Sequence, residues 1–80
     1  MGYHTKEINK GQVGEYSKIY EEFEEFTDAY EQRDKVLQIC ELTDLIGAIE
    51  LFSINKFGLN IHDLKKFSDK TIESFKEGKR

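Results

Sequence analysis

The sequence predicts an all-α fold: a three-helix protomer, with a middle helix so apolar that it calls for assembly into a helical-bundle oligomer. Apolar residues recur at three- and four-residue steps in three separate stretches, no proline interrupts them, and short polar or glycine-containing segments divide them. Eighty residues make one domain at most. A chain of that size buries only about 60% of the surface its unfolded form exposes, so its stability is marginal without a staple. The single cysteine, Cys40, cannot form a disulfide within the chain and is expected to pack as a small hydrophobe in a reducing, cytoplasmic setting. Oligomerisation is then the expected staple.

Residues 1–12 read as an N-terminal arm, with Gly2 and Gly11 among mixed polar residues and no sustained periodicity. Residues 13–80 form the helical domain. Its first helix is expected from Val13 to Gln32, because Tyr16, Ile19, Tyr20, Phe23, Phe26, Thr27 and Tyr30 share one face. Arg33, Asp34 and Lys35 make the turn. The second helix, Val36 to Lys56, is apolar around most of its circumference and belongs in the middle of a bundle. Gly58 suits the left-handed position that ends it. Asn60 is the expected N-cap of the third helix, Asp63 complements the dipole in its first turn, and Gly78 closes it.

The formal charge is −4, which disfavours nucleic acid as a partner because phosphate neutralisation needs Lys and Arg. No apolar run approaches the roughly 20 residues needed to span a bilayer, so no membrane partner is expected. The charge is uneven. Residues 15–31 carry seven acidic side chains against Lys18 alone, whereas residues 61–80 carry six basic against four acidic. An acidic centre faced by a basic C-terminal segment suits a metal-bridged polyphosphate, and it equally suits an ordinary helical protein with complementary surfaces.

Two acidic clusters carry the chemistry: Glu21-Glu22-Phe23-Glu24-Glu25 and, after fifteen intervening residues, Glu41-Leu42-Thr43-Asp44. Glu22 and Glu25 lie three residues apart, as do Glu41 and Asp44, so each pair projects from one helix face. Packed side by side, the two helices bring four oxygen ligands together, a set suited to Mg2+ or Mn2+. At about 100° per residue, Glu41 projects close to Leu45 and Phe52, with Asp44 at the edge of that stripe. A carboxylate inside an apolar wall is costly unless paired, hydrogen-bonded or bound to metal. On the first helix Glu22 and Glu25 flank the apolar stripe, whereas Glu21, Glu24 and Asp28 are expected to point to solvent.

The pattern Glu-Glu-x-x-Glu followed by Glu-x-x-Asp resembles the signature of the MazG-like, all-α nucleoside triphosphate pyrophosphohydrolases. The likeness extends to Gly14-Glu15-Tyr16-Ser17-Lys18-Ile19, to Asp44-Leu45-Ile46-Gly47-Ala48-Ile49-Glu50 and to Phe75-Lys76-Glu77-Gly78-Lys79-Arg80, the stretch 8–80 resembling short phage and bacterial members. The resemblance implies hydrolysis of a nucleoside triphosphate, often a noncanonical or deoxy one, to the monophosphate and pyrophosphate, a house-cleaning activity on the nucleotide pool. It implies Mg2+ held by Glu22, Glu25, Glu41 and Asp44, with Glu22 or Glu25 accepting the proton of the attacking water and Glu21 a weaker candidate. It also implies phosphate or base contacts from Lys18, Lys66 and Lys70, and a dimer or tetramer with its site between helices of different subunits.

Other chemistries lack their residues. Ferritin-like di-iron bundles use Glu-x-x-His motifs, whereas His4 and His62 have no partner at ligand spacing and are expected on the surface. The ligand pattern of a calcium-binding EF-hand is absent, as are phosphate-binding glycine loops and nucleophile elbows. The competing reading is a noncatalytic acidic helical interaction protein, a phage-type inhibitor or scaffold whose acidic face meets a basic partner.

Overall fold

The computed structural model describes residues 4–80, so the first three residues of the expected arm lie outside the described residues. Three helices follow one another, α1 (Tyr16–Glu31), α2 (Lys35–Phe57) and α3 (Ile61–Lys76), with no strand among the described residues. The all-α, three-helix expectation holds.

Helix α1 starts three residues later than the periodicity suggests. Gly14 takes a left-handed φ of 86° and Glu15 is extended, so the chain enters the helix only at Tyr16. At the other end Arg33, with φ 60°, makes the turn, and the Asp34 side chain caps α2 by accepting the Leu37 N–H at 3.0 Å. Gly58 ends α2 in the expected left-handed conformation, φ 71°, with the Gly58 N–H donating to Ile54 O and the Leu59 N–H to Ser53 O. Helix α3 opens on a reciprocal capping box: the Asp63 N–H donates to Asn60 Oδ1 and the Asn60 N–H to Asp63 Oδ2, at 2.9 and 3.0 Å.

Helices α1 and α2 form an antiparallel pair. Near the end of α2, Asn55 Nδ2 donates to Gly14 O at 3.0 Å and Lys56 Nζ sits 2.9 Å from Glu15 Oε1, tying that end to the start of α1. Helix α3 rests lightly on α2 and does not pack on α1. Glu50 Oε2 accepts the Ile61 N–H at 2.9 Å, satisfying one of the free donors at the start of α3.

The interior inverts the usual order. Among the described residues the buried hydrophobic ones are Ala29 and Ala48, and the other buried side chains are Glu21, Glu22, Asp28, Glu41 and Ser53. The aromatic face of α1 is largely open: Tyr16, Tyr20, Phe23 and Tyr30 are exposed, Tyr30 at 65%, while Ile19 and Phe26 are half-buried. Cys40 is exposed too, not packed as a hydrophobe. The acidic flank of α1 lies inside because its charges find partners there.

Candidate metal centre between α1, α2 and the arm

On α1 the residues Glu21, Glu25, Asp28 and Gln32 follow one another at helical spacing, with Glu22 and Ala29 beside them, so one stripe carries the carboxylates into the seam. Glu41 enters from α2. Glu21, Glu22, Asp28 and Glu41 are each at most 5% exposed, while Asp44 stands at the exposed margin. Glu22, Glu41 and Asp44 each offer one oxygen within 4.8 Å of the others. Glu25 joins the same cluster twice: with Glu21 and Glu22 on its own helix, and with Glu41 and His4 across the seam. Of the four expected metal ligands, Glu22, Glu41 and Asp44 share one trio, and Glu25 meets Glu22 in a second and Glu41 in a third.

The arm completes the seam. Asp28, 0% exposed, accepts the Thr5 N–H at 2.9 Å, the Thr5 hydroxyl at 2.6 Å and Gln32 Nε2 at 3.0 Å. Its fourth partner is His4 Nδ1, at 2.9 Å. His4 Nε2 lies 2.9 Å from Glu41 Oε2 and 3.3 Å from Glu25 Oε1. Gly11 donates its N–H to Glu21 Oε1 at 2.7 Å, and a Cβ at that position would stand 2.2 Å from the Ser17 carbonyl oxygen. Only glycine lets the arm lie that close to α1. Lys18 reaches in from the first turn of α1, 3.1 Å from Glu21 Oε1 and 3.0 Å from Glu22 Oε2.

Two expectations are corrected here. Glu21 and Asp28 do not point to solvent, and His4 is not a surface residue. Helical projection puts Glu21 and Asp28 on the side of α1 away from the aromatic stripe, and the structure turns that side inward. The spacing of Glu21, Glu25, Asp28 and Gln32 already describes a second, polar stripe. Nothing local marks His4, since an arm residue meets α1 and α2 only through the fold.

The electrostatics follow from crowding. Burial, a hydrogen bond with Glu21 and the neighbouring Glu22 and Glu41 push Glu25 up to about 7. Glu41 is raised by burial and by Asp44, against the opposing pull of His4. Burial would raise Glu21 as well, but the Gly11 N–H and Lys18 bring it below the usual carboxylate value. Asp28 is held down to about 2, first by the Thr5 hydroxyl and then, against its burial, by the Thr5 amide, His4 and Gln32. Burial disfavours the His4 cation, but Asp28 and Glu41 more than offset this and raise it.

One observation tests whether these residues fit a cation. Glu22 Oε1 and Glu41 Oε1 are buried with no hydrogen-bond partner. Orphaned carboxylate oxygens in a water-excluded seam are costly, and a divalent ion would satisfy them. Beside them a groove of ≈ 420 Å³ is lined by Lys18, Glu22 and Asp44 together with Val13, Ala48 and Leu51. Lys66 and Lys70 are exposed on α3 and make no hydrogen bond or ion pair among the described residues.

A helical hairpin that lines its interior with carboxylates is an arrangement able to hold a hard divalent cation. The family model for phosphoribosyl-ATP pyrophosphohydrolase matches residues 2–71, most of the chain, and the chain belongs to that family. The family lies within the MazG-like all-α superfamily that the acidic signature resembles, so the chain is a pyrophosphohydrolase of the MazG-like kind. Its members are typically dependent on a divalent metal. No curated protein and no solved structure matches the chain significantly. Among the described residues, no helix is long and apolar enough to cross a membrane.

Proposed function

We propose that the protein is a Mg2+-dependent, alternatively Mn2+-dependent, nucleoside triphosphate pyrophosphohydrolase that releases the monophosphate and pyrophosphate. The observation that carries this reading is the pair of orphaned oxygens of Glu22 and Glu41, with Asp44 within reach of both and Glu25 within reach of each. Glu22, Glu25, Glu41 and Asp44 would hold the ion. When bound, it supplies Lewis-acid polarisation of phosphate oxygens and a lowered pKa for a coordinated water.

The side chains supply the rest. Water oxygen bonds to phosphorus, the α–β anhydride bond breaks, and pyrophosphate leaves on cleavage next to the α-phosphate. Glu25, within reach of both Glu22 and Glu41, is the first candidate to take the water's proton, with Glu22 beside it as the second. Lys18 already balances Glu21 and Glu22 and can turn part of its charge to phosphate. The groove between Lys18, Asp44 and Leu51 receives the nucleoside. The family's description names phosphoribosyl-ATP, a nucleoside triphosphate bearing a further phosphoribosyl group, which belongs among the substrates to be tried.

A homo-oligomer, dimer or tetramer, belongs to the same reading. It is supported by the exposed apolar residues on both helices of the hairpin, from Tyr16 and Phe23 to Val36, Ile46 and Phe57, because one protomer buries few apolar side chains of its own. In this reading Lys66 and Lys70 meet substrate across a subunit boundary. The test is pyrophosphate release from a panel of ordinary, deoxy, modified and phosphoribosylated triphosphates, with Mg2+, with Mn2+ and with neither. Cation-dependent release from at least one, lost in Glu41→Gln with helicity unchanged, is the expected result. A panel left intact under all conditions overturns the proposal.

A further inference from the structure

The contacts of His4 go beyond what a tethered arm requires. Asp28 already accepts three hydrogen bonds from Thr5 and Gln32, so its carboxylate acts toward His4 as a further acceptor. His4 Nδ1 therefore carries hydrogen and donates it to Asp28 at 2.9 Å. That bond fixes the ring and aims Nε2 at Glu41 Oε2 and Glu25 Oε1, 2.9 and 3.3 Å away. With Nδ1 as donor, Nε2 facing two carboxylates needs either its own proton, as in the imidazolium, or a cation between the three atoms.

The spacing suits an ion. Ligand atoms at right angles around a divalent cation, each about 2.1 Å from it, stand about 3 Å apart. One atom each from His4, Glu25 and Glu41 falls within 4.8 Å of the others. Independently, Glu41 is 5% exposed and its second oxygen has no partner. A carboxylate receiving the far N–H of an imidazole is also the usual backing of a metal-ligating histidine, where it fixes tautomer and orientation.

We propose that His4 Nε2, Glu25 and Glu41, backed by Asp28, form a nitrogen-containing metal position at the arm-facing end of the acidic seam, taking a first-row transition cation in preference to Mg2+. The oxygen-only trio of Glu22, Glu41 and Asp44 is the complementary position for Mg2+, because imidazole favours the softer ions and carboxylates alone the harder ones. The inference rests on reading the seam as a cation site, and adds that the arm supplies one of its ligands. It gives the arm a chemical role: loading the ion also fastens residues 4 and 5 to α1 and α2.

The experiment uses the full chain and Mn2+ without nucleotide. Pulsed electron paramagnetic resonance of bound Mn2+ is expected to show hyperfine coupling to a directly coordinated imidazole nitrogen. The coupling should vanish in His4→Gln and persist in His62→Gln, whose ring is exposed on α3. Mn2+ affinity should fall about 10-fold or more in His4→Gln, while Mg2+ affinity changes less than about twofold, as expected if Mg2+ keeps to oxygen ligands. Should His4→Gln lose helicity, the wild-type nitrogen coupling decides by itself. Bound Mn2+ without nitrogen coupling overturns the histidine position and leaves the carboxylate reading standing, the result expected if a protonated ring merely fills the place of the ion. Absence of any bound Mn2+ overturns both.

Discussion

The seam between α1 and α2 and the outer faces of the same two helices have exchanged their usual contents. Inside are Glu21, Glu22, Asp28 and Glu41, spaced by Ala29 and Ala48; outside are Tyr16, Tyr20, Phe23 and Tyr30 on α1, and Val36, Ile39, Leu42, Ile46 and Ile54 on α2. Ordinary globular helices bury the second set and solvate the first. The inversion teaches that this hairpin is organised around a charge cluster, with His4, Thr5, Gly11 and Lys18 supplying the donors that let it close. Hydrophobic burial, the main stabilising force of most domains, is left largely to surfaces the protomer does not cover.

The largest expected effect comes from striking the centre of the seam. Glu41→Gln keeps the shape of the side chain but removes a charge, and pyrophosphate release should fall at least about 100-fold, the scale of losing a preorganised charged group, with the circular dichroism of the helices unchanged. Asp28→Ala attacks the arm's anchor. Leaving the Thr5 and His4 donors without their acceptor should cost about 2–3 kcal/mol in thermal unfolding, whereas Thr43→Ala at an exposed position of α2 should change stability by less than about 0.5 kcal/mol. If the two variants melt alike, the seam does not hold the hairpin together.

The outer faces have their own test. Sedimentation should give a species larger than the 9.4 kDa chain, and Ile46→Asp together with Phe23→Asp should shift it toward the monomer. A wild-type monomer would leave the outer faces without their proposed cover.

Acid–base behaviour sharpens the comparison further. Glu25 has its folded pKa raised to about 7 from an ordinary 4.5, so without metal the folded state holds a proton the unfolded state has already lost. This contribution is fully present below about pH 4.5 and is lost as pH rises through 7. His4, also raised, changes in the same direction, its contribution vanishing as pH rises beyond 6.5. The metal-free chain should therefore melt at lower temperature at pH 8 than at pH 5.5 to the extent that these groups dominate. Saturating Mn2+ should reverse the trend, because ligands must deprotonate to bind it. The smallest effect is expected on α3: Lys66→Ala and Lys70→Ala should raise KM a few-fold where a neighbouring α3 closes the site, and unchanged kinetics would confine substrate to the groove beside Lys18.

Much of this molecule was legible in its amino acids. Three helices, the Gly58 stop, the Asn60–Asp63 box and the acidic signature all rest on local spacing and capping, which depend on neighbours in sequence. Glu22, Glu25, Glu41 and Asp44 could be paired in advance because i to i+3 geometry brings each pair to one face. Which face of α1 turned inward, and the burial of Glu21, Asp28 and His4, depended on tertiary structure. Periodicity reports that a helix has an apolar stripe and a polar one, but the choice between them belongs to the partners that satisfy each. Here the His4 imidazole and the Thr5 amide meet carboxylates more than twenty residues away, at a distance no local rule can measure.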